Sequence, residues 1–252
     1  MIAEFLLPNL PVDKVIAALR KSPGDEIGSG KFTSPASSAA LAVNTFGYFL
    51  ERPLELPAMP GTENFGWPAK AVHIEFSVRF PWRGGRHPWL DAYVETATHI
   101  IGIESKRYEP FRGKSSGTLS DAYWRPVWGD RMVQYERVRD RLNDGSLKPN
   151  HLDAVQLVKH AFGLRTQAGR DNKAAVLVYL HAEPNNWPDG RTVHAQVKNV
   201  HSEEIRQFAD DVAGAEVEFR ACTYSDLLKT FTMSTNLGVR QHGQLVMKKF
   251  SP

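Results

Sequence analysis

The chain has a single cysteine, Cys222, among its 252 residues. An internal disulfide is therefore excluded, and so is a zinc site built on cysteine pairs. No run of about 18 apolar residues occurs, so no helical membrane span is expected. Histidines are few, nine in all. His87, His99, His151 and His160 lack the close HxxxH or HxH spacing of a zinc centre, and no His-Asn-His nuclease pattern is visible. Charge of one sign is not in excess: 31 Lys and Arg face 28 Asp and Glu, a net +3. That balance is too mild to indicate nucleic acid by itself. The opening stretch MIAEFLLPNLPVDK has no basic segment and carries Glu4 and early prolines. A secretory signal is not expected there, and the cytoplasm is the default location. Gly24–Lys31 approximates a phosphate loop, but Asp25 stands where the first glycine is required and Phe32 follows the lysine, so it reads as a flexible loop. No internal repeat is present.

What remains is an ordinary globular composition, 42% hydrophobic and 23% charged, fitting one large domain or one domain with additions. The stretch that organises it is Trp89 to Lys106, WLDAYVETATHIIGIESK. It reads as a β-hairpin with strands over about 90–95 and 99–106. A two-residue turn at Ala97-Thr98 sets Thr96 opposite His99 and Asp91 opposite Glu104. Directly opposed residues share a face, with Cβ atoms about 4.5–5.5 Å apart. Glu104 and Lys106 are two apart and share that face too. Asp91, Glu104 and Lys106 thus converge on one spot.

Two carboxylates so close repel each other unless a hard cation lies between them. Mg²⁺ takes one or two protein carboxylates, keeps several waters and uses substrate phosphate oxygens for the rest. A lysine alongside can orient an attacking water or offset charge on a phosphate. The competing reading is an exposed hairpin with a Glu/Lys surface pair. Against it stands the apolar run Ile100-Ile101-Gly102-Ile103, which marks a buried strand ending in charge.

Asp91 followed by Glu104-Ser105-Lys106 resembles the PD-(D/E)XK nuclease superfamily, the restriction-endonuclease-like fold. Its pattern is an acid early in the second strand and (D/E)-x-K on the third. The usual proline before the aspartate is replaced by Leu90, with Pro88 nearby. The resemblance implies an α/β fold with an α-β-β-β-α-β core, a mixed central sheet flanked by helices. It implies a metal-dependent nuclease acting on DNA, most naturally double-stranded, of restriction, defence or repair type, as a monomer or a homodimer. Asp91 and Glu104 would hold Mg²⁺, with Mn²⁺ able to substitute and the Ser105 carbonyl as a further ligand. Lys106 would position water or help deprotonate it. A non-catalytic DNA-binding protein on the same fold, or a nuclease acting on RNA or DNA ends, stays open.

The rest of the chain falls around this core. Residues 1–33 form an N-terminal extension with a short helix at Val12–Leu19, and 34–252 form the nuclease-like domain. Ser34-Pro35 starts a helix running to about Leu50. Asn44 lies inside it as a structural or DNA-backbone contact, and Glu51 ends it as a surface acid. Val72 to Phe80 alternates, with Ile74, Phe76, Val78 and Phe80 on one face and His73, Glu75, Ser77 and Arg79 on the other. Glu75 is thus either a solvated glutamate or an additional site residue. In the basic turn 81–87, Arg83 and Arg86 either touch phosphates or line an exposed loop, and Arg107 and Arg112 after the motif are further nucleic-acid candidates. An insertion spans about 107–150; in it Met132–Leu142 reads as an amphipathic helix whose arginines pair with Glu136 and Asp140. Asn150 caps a helix that Gly163 ends. On it Gln156 and His160 share a face and resemble the Gln-x-x-x-Tyr of RecB-like nucleases, with histidine in place of tyrosine. Ala174–Leu180 is a central strand covered on both faces. A helix from Ser202 to Val212, a strand over 216–222 and a helix over 224–231 follow. The last twenty residues read as an edge strand or a basic tail.

Overall fold

A computed structural model describes residues 2–112 and 117–252. A five-stranded mixed sheet runs β1 (Ala71–Ser77), β2 (Trp89–Glu95), β3 (His99–Lys106), β4 (Ala174–His181) and β5 (Val217–Thr223), paired in that spatial order. β1, β2 and β3 form an antiparallel meander, and β3, β4 and β5 are parallel. The parallel half needs crossovers. These are supplied by α3 (Val133–Asp144) and α4 (Ala154–Asp171) between β3 and β4, and by α5 (Ala195–Asp211) between β4 and β5. The core is the expected α-β-β-β-α-β arrangement of the restriction-endonuclease-like fold.

The sheet separates two hydrophobic cores. β4 shows why: it is almost wholly apolar, yet Val176, Val178 and Leu180 enter one core and Ala175, Leu177 and Tyr179 the other. Period-2 alternation puts successive side chains on opposite faces, and only a strand covered on both sides can be apolar at every position. One face is covered by α1 (Val12–Lys21), α2 (Ser38–Phe46), α6 (Tyr224–Thr232) and α7 (Leu237–Phe250), the other by α3, α4 and α5. The first 33 residues are not peripheral, since Leu7, Val15, Leu19 and Phe32 are buried in the first core. Tyr135 and Val138 of α3 likewise anchor the expected insertion in the second; Gly113–Ser116 of that insertion lie outside the described residues.

Several local expectations are corrected. The cap of α2 is Ser37, whose hydroxyl accepts the Ala40 N–H at 3.0 Å, three residues after Ser34. Asn44 is wholly buried: its side chain accepts from Leu7 N and donates to Ala40 O and Phe5 O, which makes it structural. The next helix is capped by Asp153 rather than Asn150 and runs through Gly163 to Asp171. A Cβ at Gly163 would lie 2.6 Å from Val78 Cγ2 and 3.1 Å from Val78 O. The glycine there is a point of close approach between α4 and the segment after β1. α5 begins at Ala195, so Ser202 lies inside it. The C-terminal stretch is neither strand nor tail. It is α7, capped by Asn236, burying Val239, Val246 and Phe250 against the first core, at about 1.5–3 kcal/mol for each large side chain removed from water.

The largest departure lies in β1. Val72 and Ile74 belong to the first core, whereas Phe76 packs against the second, to which Val78 and Phe80 also belong. The expected single face of Ile74, Phe76, Val78 and Phe80 is therefore broken between Ile74 and Phe76. Glu75 carries φ +49, a left-handed backbone uncommon for a residue with a side chain. β2 changes sides at the facing position, with Leu90 in the second core and Ala92 and Val94 in the first. Pairing holds on both sides, Ile74↔Ala92 and Phe76↔Leu90, while Glu75 and Asp91 drop out of the ladder between them.

Candidate active site

β2 and β3 pair as Ala92↔Ile103 through Glu95↔Ile100, and the Thr96 N–H donates to His99 O at 2.9 Å across the turn. Continued by one residue, that register sets Asp91 against Glu104. There the Asp91 side chain takes over from the backbone: its Oδ2 accepts the Ser105 N–H at 2.6 Å. The Ser105 hydroxyl lies 2.6 Å from the Tyr224 hydroxyl at the start of α6, so the middle residue of the motif is fixed from both sides.

Glu104 is 2% exposed. One of its oxygens pairs with Lys106 Nζ, and the other lies 2.8 Å from His160 Nε2. Lys106 Nζ also donates to Gln156 Oε1 at 2.9 Å. Gln156 and His160 are one turn apart on α4, so the helix delivers both to the end of β3. The Asp153 carboxylate accepts the Gln156 N–H at 3.0 Å and fixes where that helix begins.

The charges in this cluster follow from burial and neighbours. Burial raises the Asp91 carboxyl well above its usual range, and the Glu104 charge raises it further; Lys106 and the Ser105 N–H only partly offset this. Burial would raise Glu104 too, but Lys106 and His160 outweigh it and hold that carboxyl at about 2. Burial would lower Lys106, yet the Glu104 and Asp91 carboxylates hold it above the ordinary lysine range. Burial lifts Glu75 to about 7, opposed by the Ser22 hydroxyl and reinforced by the charges of Glu26 and Glu104. One carboxylate is thus firmly ionised, and two others resist ionisation beside it.

All of these groups open on one cleft of about 510 Å³, lined among others by Glu75, Asp91, Glu104, Ser105, Lys106, Gln156 and His160. Other predicted residues lie elsewhere. Arg83 and Arg86 are exposed on the β1–β2 loop, next to the cleft-lining residues His87, Pro88 and Trp89. Arg112 is exposed, with its guanidinium 5.8 Å from the Trp187 ring centre. Arg107 corrects the nucleic-acid expectation: it is 7% exposed, and its guanidinium donates to Pro35 O and Phe250 O. The sequence reading missed Ser22 and Glu26, which reach the cleft from the segment after α1, and Asp153 and Lys159 of the α4 region. Asp153 had a signal, an acid three residues before Gln156 at a helix start. Glu26 had none, because only the fold brings its loop to the sheet.

Among the described residues no group of three or more His, Cys, Asp and Glu side chains is gathered tightly enough to cage a metal ion alone. A site of two carboxylates completed by water and phosphate needs no such cage. Asp91 and Glu104 fit that site: the first is kept from ionising partly by the charge of the second, and a divalent cation between them removes that conflict. No described helix is long and apolar enough to cross a membrane.

The family model described as "Restriction Endonuclease associating with ARP" (REase-ARP) matches residues 2–248. No curated protein and no solved structure matches the chain.

Proposed function

The chain belongs to the REase-ARP family of restriction endonucleases, and from that membership we propose that it hydrolyses DNA phosphodiester bonds as a Mg²⁺-dependent endonuclease through Asp91, Glu104 and Lys106. The observation that carries the reading is the convergence of these three side chains, from two paired strands, on one cleft.

In this mechanism Asp91 and Glu104 hold Mg²⁺ or Mn²⁺, with the Ser105 main-chain carbonyl beside them. Bound there, the ion supplies a water of lowered pKa and a positive charge facing the phosphate. Lys106 acts as a fixed cation rather than a base, because its carboxylate neighbours keep it protonated. It orients the attacking water and faces the charge that builds on phosphorus. Gln156 aims the ammonium group by its hydrogen bond, and His160 steadies Glu104 from the other side. Glu75, held at about 7, is the cleft carboxyl poised to take the proton lost by water at neutral pH. Arg83, Arg86 and Arg112 supply phosphate contacts outside the cleft. A C2 homodimer would present two such centres to the two antiparallel strands of duplex DNA, and a homodimer goes with that reading.

The test is plasmid cleavage by the purified protein with Mg²⁺, with Mn²⁺ and with chelator, beside Glu104→Gln and Lys106→Ala. Metal-dependent cutting that both substitutions abolish is the expected result. Cutting that survives both substitutions places the chemistry elsewhere. Salt-sensitive DNA binding without cutting identifies a binding protein on a nuclease fold.

A further inference from the structure

Two consecutive cations, Lys106 at the end of β3 and Arg107 just after it, leave in different directions. Lys106 enters the catalytic cleft, and Arg107 lines a second cavity of about 350 Å³ that shares no lining residue with it. That volume falls in the range of small-molecule sites, about 300–1,000 Å³.

The composition of this cavity is unusual for a structural gap. Four of its eleven lining residues are aromatic, Phe5, Phe32, Tyr108 and Phe250. Its two charged residues, Arg107 and Lys249, are both cations. The Arg107 guanidinium lies 5.1 Å from the ring centres of both Tyr108 and Phe250. It donates to two neutral acceptors, Pro35 O and Phe250 O, each at 2.5 Å. Lys249 Nζ donates to another, Phe5 O at 2.7 Å. Among the described residues no carboxylate lies within ion-pair distance of either cation. The nearby Glu109 carboxylate is taken by the N–H groups of Arg107 and Tyr108 and by the Ser38 hydroxyl. A buried charge is normally paired, because taking it out of water unpaired is costly. Here the Arg107 charge is met by carbonyls and ring faces, with no anion among them, at the wall of an open cavity.

We infer that this cavity binds a small organic anion, one phosphate group on a planar aromatic body, with Arg107 and Lys249 on the phosphate and the exposed Phe5 against the ring. The phosphate supplies the counter-charge that the protein leaves out. The Ser34 hydroxyl, whose oxygen accepts the Ala36 N–H at 3.3 Å, borders the same space with its own hydrogen available. The Tyr108 ring is already stacked on Trp187 and both it and Phe250 lie under the Arg107 guanidinium, so the stacking surface for a π-face is the exposed Phe5 ring. The site is separate from the cleft in which the scissile phosphate is proposed to bind, and does not depend on the protein being a nuclease.

The experiment is calorimetric titration of adenosine 5′-monophosphate into the full chain with chelator present, beside adenosine and inorganic phosphate as probes of each half. Lys249→Glu tests the exposed cation without touching the buried one. Arg107→Lys is included only if its melting curve matches the unsubstituted protein. Lys106→Ala reports on the catalytic cleft. One nucleotide per chain is expected, with adenosine and phosphate each binding at least about tenfold more weakly. Lys249→Glu should weaken the nucleotide by at least about tenfold, and Lys106→Ala should leave it unchanged. Three results overturn the inference: no saturable binding at millimolar nucleotide, equal binding of adenosine, or binding lost in Lys106→Ala but kept in Lys249→Glu.

Discussion

The Asp91 carboxylate accepts the main-chain N–H of Ser105 at 2.6 Å, so one proposed metal ligand also closes the strand pairing that holds the other. Its structural and chemical roles are separable by substitution. Asp91→Ala leaves the Ser105 N–H without its partner, at a cost of about 1–3 kcal/mol. Asp91→Asn keeps an acceptor oxygen of the same shape and should melt within about 1 kcal/mol of the parent. Both should lose metal-dependent cleavage by at least about a hundredfold, since neither keeps the charge. Thermal melting and plasmid nicking of the two variants separate the effects. An active Asp91→Asn would remove Asp91 from the metal site.

Lys106 and Glu104 are expected to be coupled in stability as well as in activity. Lys106→Ala leaves the buried Glu104 charge with His160 as its remaining close partner. Breaking a buried pair from one side costs on the order of 3–5 kcal/mol, and each kcal/mol moves the melting temperature of a chain this long by about 2–4 °C. Adding Glu104→Gln to Lys106→Ala should recover part of the loss, because the stranded charge is gone. Losses that simply add would mean that the pair is not coupled.

The hairpin was legible because two independent constraints agree on it. The apolar run Ile100 to Ile103 fixes which residues are buried, and a two-residue turn fixes the register, so Asp91 could be set against Glu104 from spacing alone. The apolar β4 was legible from its unbroken apolar run alone. Glu75 could be named as a candidate from its polar face, but the break in β1 could not be read, because one left-handed residue in an alternating stretch leaves the alternation of residue types intact while reversing which face the residues beyond it take. α7 was missed because Gly238 and Gly243 interrupt its helical pattern. A Cβ at Gly243 would fall 2.7 Å from Phe231 Cβ, so contact with α6 rather than helix propensity selects that glycine. Tertiary contact of this kind carries no signal within a local window.

Gly163 offers a test of that argument on α4. Gly163→Ala places a methyl 2.6 Å from Val78 Cγ2 and should destabilise by about 1–3 kcal/mol as α4 moves off the sheet. Gly169→Ala on the same helix meets nothing within 4 Å and should stabilise by up to about 1 kcal/mol through helix propensity. Denaturant unfolding of both variants gives the two signs directly. The same change in Gly163→Ala should lower cleavage, since Gln156 and His160 ride on the displaced helix.

Glu75 predicts a pH dependence whose sign can be worked out. Its carboxyl is held at about 7 in the folded chain, against an ordinary value of 4.5. Between those values the folded form keeps a proton that the unfolded form has released, so stability falls as pH rises through the window. Above it, the ionised Glu75 costs the fold on the order of 2 kcal/mol, allowing for its partial exposure. Glu75→Gln keeps the shape and removes the titration. Its melting temperature should match the parent near pH 4.5, rise above it between about pH 4.5 and 7, and hold a constant gain beyond. If Glu75 also takes the proton from water, the substitution should lower cleavage most where the parent group is ionised, above about pH 7, so that the stabilised form is the less active one. Melting curves that run parallel across the range would show that Glu75 titrates as an ordinary surface acid, and its place in the mechanism would go with that result.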